Sequence, residues 1–187
     1  MKEFEITFEV YNDINVLKNE LIKNKFYYVE EFVLDDIYMY NPLNNEFGVN
    51  DGKITDTLMI RSIDDKETEI ICKNRQYKNG LEIGTEKTTL KVENIETAEK
   101  LLNSLGYKRF LRMIDKNYKY ENDNYNAIIQ EVEGLGLFLE IEIKNSKYAE
   151  VEIQRLIEFA KSLNLKIGTK FDVRKAELLY KKLNNDA

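Results

Sequence analysis

Apolar and polar residues alternate along most of this chain. Residues 2–10 set Phe4, Ile6, Phe8 and Val10 against Glu3, Glu5, Thr7 and Glu9, a period of two that belongs to an extended strand with one buried face. The same alternation predicts strands over 32–40, 56–63, 68–75, 84–93, 110–120, 126–133 and 137–144, about eight in all. Turn-forming stretches separate several of them: NPLNNEFGVNDG at 41–52, DDKE at 64–67, KNG at 78–80, ENDN at 121–124 and GLG at 134–136. Four segments instead follow a helical period. Asp13 caps a segment carrying Val16, Leu17, Leu21 and Ile22, and Asn94 caps IETAEKLLNSLG, which stops at Gly106. Residues 147–163 and 172–182 complete a helical tail at 147–187.

Many antiparallel strands with helices beside them predict an α+β fold. The expected form is a closed eight-stranded antiparallel β-barrel, a tunnel, with helices packed outside. No repeat or break in composition marks a linker, so the 187 residues are expected to form a single domain. Alternation also raises a question about EVEGLGLFLEIEIK at 131–144. There Leu139, Ile141 and Ile143 share one face, while Phe138, Glu140, Glu142 and Lys144 share the other. The second face either meets water or lines a space that uses carboxylates. Inside a barrel, charges are costly unless they pair with each other or with a charged ligand.

Composition narrows the chemistry. Histidine is absent, which removes histidine-based nucleophilic mechanisms and the common zinc sites. The lone cysteine, Cys72, follows Ile70 and Ile71 and is expected to pack in the core. A net charge of −6 argues against nucleic acid and anionic lipid as partners. No apolar run reaches the ~20 residues of a membrane span, and MKEFEITFEV does not read as a secretory signal, so a cytoplasmic protein is expected.

The charged residues that alternation places opposite an apolar face are Glu3, Glu5, Glu140 and Glu142, and Arg61, Lys73, Arg75 and Lys116. A hard divalent cation held by oxygen, bridging to phosphates held by lysine and arginine, makes such a mixed lining useful. Mg²⁺ or Mn²⁺ with a polyphosphate is the candidate pairing.

In order along the chain, EFEIT, LMIR at 58–61, IICK at 70–73, Lys116 and EVEGLGLFLEIEI resemble the CYTH superfamily, the triphosphate tunnel metalloenzymes. Within it, class IV adenylyl cyclases and triphosphatases of the thiamine triphosphatase type are the nearest in pattern. The resemblance implies an eight-stranded tunnel in which Glu3, Glu5, Glu140 and Glu142 hold Mg²⁺ or Mn²⁺. It implies that Arg61, Lys73 and Lys116 grip a triphosphate, and Arg75, on the same strand as Lys73, is a candidate substitute cation. The ligand would be ATP, thiamine triphosphate or tripolyphosphate, and a homodimer is compatible with this. Asp36 and Tyr38 resemble the family's Asp-x-Tyr segment, read as mainly structural.

Four positions depart from the family pattern. Thr7 stands in place of lysine, Met59 and Tyr118 in place of arginines, and Gln130 in place of an aspartate. The register of 84–93 is left open, with Lys87 and Lys91 as substitute cations. Removing one charge-assisted hydrogen bond to a phosphate forfeits about 1.5–3 kcal/mol, so the departures keep a second reading in view. That reading is a module that binds a nucleotide or polyphosphate and turns it over poorly.

Overall fold

The computed structural model describes residues 5–185 apart from 44, 51–52, 55, 79–80 and 145–148; for 76–78, 81–85, 149–150 and 185 it describes backbone alone. Its elements run β1 (Glu5–Val10), α1 (Ile14–Lys23), β2 (Tyr27–Tyr40), β3 (Thr57–Ile63), β4 (Glu67–Lys78) and β5 (Leu81–Val92). They continue with α2 (Ile95–Ser104), β6 (Lys108–Glu121), β7 (Tyr125–Val132), β8 (Gly136–Ile143), α3 (Ala149–Ser162) and α4 (Lys175–Asn185). The α+β class holds: eight strands pair in the order β1-β8-β7-β6-β2-β3-β4-β5, and each ladder with a described register is antiparallel.

The expected closed barrel is not what this pairing describes. Among the described residues the order ends at β1 and β5, and the edge of β1 away from β8 is taken by the chain's own 166–173. Thr7 N–H donates to the Phe171 carbonyl at 3.0 Å, Val173 N–H to that of Thr7 at 3.0 Å, and Gly168 N–H to that of Glu9 at 2.9 Å. Asp172 and Val173 are therefore drawn into pairing with β1, and the terminal helix starts at Lys175, three residues later than expected.

Turn and cap chemistry places the other boundaries. Asp13 accepts from Asn15 N–H at 2.8 Å, and Asn94 accepts from Thr97 N–H at 2.8 Å, each satisfying a helix N-terminus. Between β7 and β8 the chain reverses through Gly134 and Gly136 at φ 76° and 120°, conformations that L side chains rarely adopt. Strand β2 begins at Tyr27, well before the expected 32, because Tyr27–Glu31 are all exposed and so show no alternation.

The chain divides into two compact units, Met1–Phe32 with Lys116–Arg174, and Val33–Asp115 with Lys175–Ala187. In the first unit, Ile6 and Phe8 of β1, Ala127 and Ile129 of β7, and Leu139 and Ile141 of β8 pack on α1 through Leu17 and Leu21, and on α3 through Leu156 and Ala160. Full burial of each large apolar side chain is worth about 1.5–3 kcal/mol. In the second unit, Ile37 and Met39 of β2 and Leu58 and Ile60 of β3 pack on Ala98 and Leu102 of α2. Partly buried Cys72 joins this cluster. In both units the helices cover one sheet face, and the opposite face carries the charge. No described helix is long and apolar enough to cross a membrane.

Candidate functional site

The first unit's charged face follows from strand register, since directly opposite residues point to the same side. Glu5 lies opposite Glu142, Thr7 opposite Glu140 and Glu9 opposite Phe138. On the next strand Asn126 lies opposite Glu142, Ile128 opposite Glu140 and Gln130 opposite Phe138. This answers the question set by 131–144: Leu139 and Ile141 turn to the helices, and Glu140 and Glu142 to the other side, half-buried. Asn126 Nδ2 donates to Glu142 Oε2 at 3.0 Å, and Gln130 Nε2 donates to Glu140 Oε2 at 3.3 Å. Gln130 is 5 % exposed, and its Oε1 is buried without a hydrogen-bond donor.

Glu5, Glu140 and Glu142 are thus brought to one face, while Glu3 lies outside the described residues. Lys116 is not on this face. It stands two residues before Tyr118, whose ring packs in the core shared with Leu139 and Ile141. Its Nζ lies 3.6 Å from Glu31 and 5.0 Å from the Tyr118 ring, and Lys18 Nζ lies 3.6 Å from that ring on α1's side. The Tyr118 hydroxyl, then Glu31, raise the Lys116 pKa above its ordinary value. Alternation set Lys116 opposite an apolar face, but Tyr118 and Tyr120, which share its side of β6, pack in the core against the helices, so Lys116 lies on the helix side.

The oxygen-only donors of the carboxylate face suit a hard divalent cation. Among the described residues, however, no group of three or more acidic, histidine or cysteine side chains is placed to hold a metal. The orphaned Gln130 oxygen beside Glu140 is the observation that speaks for a cation there.

The second unit's charged face is built the same way. Asp36 lies opposite Arg61 and Tyr38 opposite Met59; Arg61 then lies opposite Glu69, Met59 opposite Ile71 and Thr57 opposite Lys73. Continuing to β5, Lys73 lies opposite Lys87 and Glu69 opposite Lys91, which fixes the register that alternation left open. Arg61 is held rigidly: Nε–H donates to Asp36 Oδ1 at 2.7 Å and Nη2–H to Oδ2 at 2.6 Å. Burial alone would lower the Arg61 pKa, but the Asp36 carboxylate outweighs it and the net shift is upward. Arg75 Nη1 lies 3.0 Å from Thr57 Oγ1, and its backbone N–H donates to Asp56 at 2.8 Å. From α4, Lys175 Nζ reaches buried Asp115 at 2.9 Å, an ion pair that no pattern in the chain foretells.

Tyr38 sits among these groups. Burial raises its phenol pKa above the ordinary 10.0; Asp36 and Asp115 add to the rise, while Arg61 and Arg75 oppose it. The raised value means that above pH 10 the unfolded chain ionises this tyrosine while the folded chain keeps it neutral. Its contribution to stability is present below that pH and is lost as the pH rises through the folded value. Melting curves from neutral pH to beyond 10 are therefore expected to fall less steeply for Tyr38→Phe than for the parent chain; equal slopes would contradict this.

A CYTH domain family model matches residues 1–173. A protein of Methanocaldococcus jannaschii named "Putative adenylate cyclase" is 29% identical over 169 residues, covering 88% of this chain and 91% of that protein. Among solved structures, a Pyrococcus horikoshii protein matches with a TM-score of 0.74 at 20% identity, covering 95% of this chain and 98% of its own. A Hippeastrum protein named "Putative adenylyl cyclase", for which a dominant triphosphatase activity is described, matches with a TM-score of 0.67 at 12% identity, covering 96% and 95%. At such identities the two structures speak to the fold alone.

Proposed function

The chain belongs to the CYTH domain family, and on that footing we propose that it is a divalent-metal-dependent enzyme acting on a nucleoside or organic triphosphate. The observation that carries this reading is a pair of like-charged juxtapositions of opposite sign. Glu5 faces Glu142 directly in the first unit, and Lys73 faces Lys87 directly in the second. Like charges directly opposite across a ladder repel, and a ligand of the other sign suits such a pair. A cation suits the first pair and a phosphate chain the second.

Mg²⁺ or Mn²⁺ would be drawn to the face that carries Glu5, Glu140 and Glu142, the residues that with Glu3 the resemblance assigns to it, and would supply Lewis-acid polarisation of a phosphoryl oxygen. Arg61 is oriented by Asp36 through two of its N–H groups, leaving the others for phosphate oxygens. Lys73, Lys87 and Arg75 neutralise charge along the chain of phosphates. The reading keeps the cytoplasmic location expected from the sequence. If water attacks the terminal phosphorus the outcome is hydrolysis; if the ribose 3′ hydroxyl attacks the α-phosphorus it is cyclic AMP and pyrophosphate.

The position of Lys116 beside Glu31, with neutral Gln130 next to Glu140, favours a second reading in which ligand is held but turned over poorly. One assay separates the two. Purified protein is incubated with ATP, thiamine triphosphate or tripolyphosphate, each with Mg²⁺ or Mn²⁺, while phosphate, pyrophosphate and cyclic AMP are followed. Metal-dependent turnover supports the enzyme, and a raised melting temperature without turnover supports the binder. No response to any polyphosphate would sink both.

A further inference from the structure

The strand order ends on β1 at one side and on β5 at the other, and the two ends are finished differently. The outer edge of β1 is filled by the chain's own 166–173, as in the hydrogen bonds from Thr7 to Phe171 and from Gly168 to Glu9. Strand β5 has β4 on one side and, among the described residues, no strand on the other. It is 12 residues long, and every residue of 86–91 is exposed. A long edge whose backbone donors and acceptors face solvent is a template for another strand.

The surface beside this edge is apolar on one side and charge-patterned on the other. Leu90 lies opposite Ile70, on the side that α2 covers, and is 58 % exposed. On α2, Glu99 turns towards β6, where it accepts from Arg109 Nη2 at 2.7 Å. Leu101 is about 160° round the helix from Glu99, so it turns the other way, towards the β5 side, with Leu105 one turn on. Both leucines are exposed. On the charged side Lys91 is engaged within the chain, its Nζ 3.1 Å from Glu67 Oε2, while Lys87 lies opposite Lys73.

We propose that the β5 edge pairs with the β5 edge of a second copy of this chain, antiparallel about a two-fold axis, with Leu90 facing Leu90. Directly opposite residues share a face, so this register sets Lys87 against Glu93 of the second copy and Thr88 against Val92, each twice by symmetry. Sliding one copy by two residues sets Lys87 against Lys91 in one direction and Lys91 against Lys91 in the other. The charges therefore select the register that brings the exposed leucines to the axis. This fit of one strand to itself favours a second copy over a foreign peptide. An ammonium group carries three donors, so Lys87 paired in this way still presents others to the charged face. The pairing needs no ligand, and it stands or falls apart from the triphosphate reading.

The test uses the full chain without ligand. Sedimentation velocity over a concentration series gives the oligomeric state, and hydrogen exchange over the same series gives the surface. The expected result is a concentration-dependent dimer in which amides within 86–94 exchange more slowly as it forms. A monomer throughout overturns the proposal, and so does a dimer that leaves exchange in 86–94 unchanged. Leu90→Lys sets two lysines together at the axis, and Glu93→Lys sets lysine against Lys87 twice. Each is expected to loosen the dimer about tenfold or more, with circular dichroism unchanged because both positions are exposed. Lys87→Glu combined with Glu93→Lys restores opposite charges and is expected to bring dimer affinity back to within about threefold of the parent chain. A double variant as weak as Glu93→Lys alone, or a Leu90→Lys dimer of parental strength, overturns the proposal.

Discussion

Replacing Asp36 with alanine is expected to remove about 3–5 kcal/mol of folding stability, a large share of the ~5–15 kcal/mol typical of a domain. The Asp36 side chain is 0 % exposed and that of Arg61 21 %, so removing the carboxylate strands a guanidinium away from water. The destabilisation comes from the partner left behind. Removing both charges, as in Asp36→Leu with Arg61→Met, is accordingly expected to recover most of it, because the pair's attraction is largely spent on its own desolvation. Urea titration of the three proteins gives the comparison. If the double variant is as unstable as the single one, the ion pair is not the source. The double variant, though folded, is expected to bind tripolyphosphate more weakly, which separates the pair's structural part from the grip of Arg61 on phosphate.

The second large effect concerns ligand binding by the charged residues of each unit. Glu140→Gln in the first unit and Lys73→Met in the second are each expected to weaken metal–tripolyphosphate binding by about 1.5–3 kcal/mol, or 10- to 150-fold. At a ligand concentration of about 100 times Kd the parent chain gains about 2.7 kcal/mol of stability. The same concentration then gives each variant about 1.4 kcal/mol or less. Thermal shift with Mn²⁺ and tripolyphosphate measures it. A variant that keeps the full shift removes its residue from the binding site.

Much of this site was legible in period-two patterning because a half-buried strand records its own orientation. Glu140 and Glu142 alternate with Leu139 and Ile141, so the sequence alone states that they share a side, and the fold only had to say which side the helices take. Caps at Asp13 and Asn94 were equally local. Three things were not local. The side taken by Lys116 depends on how β6 packs against α1 and Glu31. The pairing of Lys87 with Lys73 depends on a cross-strand register in which both faces of β5 are partly polar, so alternation favours neither. The start of β2 was hidden because exposed residues on both sides leave no period. Lys175 was missed for a further reason: a lysine at the start of a terminal helix looks like solvent-facing charge until Asp115 is set against it.

The segment 166–173 that pairs with β1 links residues from opposite ends of the amino-acid order. A ribosome releases Thr7 long before Phe171 and Asp172 exist, and β8, the other neighbour of β1, is also made late. Until then β1 carries two unfilled rows of backbone donors and acceptors, the condition under which nascent strands recruit wrong partners. Glu5 and Glu9 on its polar side repel a second copy during that wait. The acidic residues of β1 thus guard its open edges during synthesis.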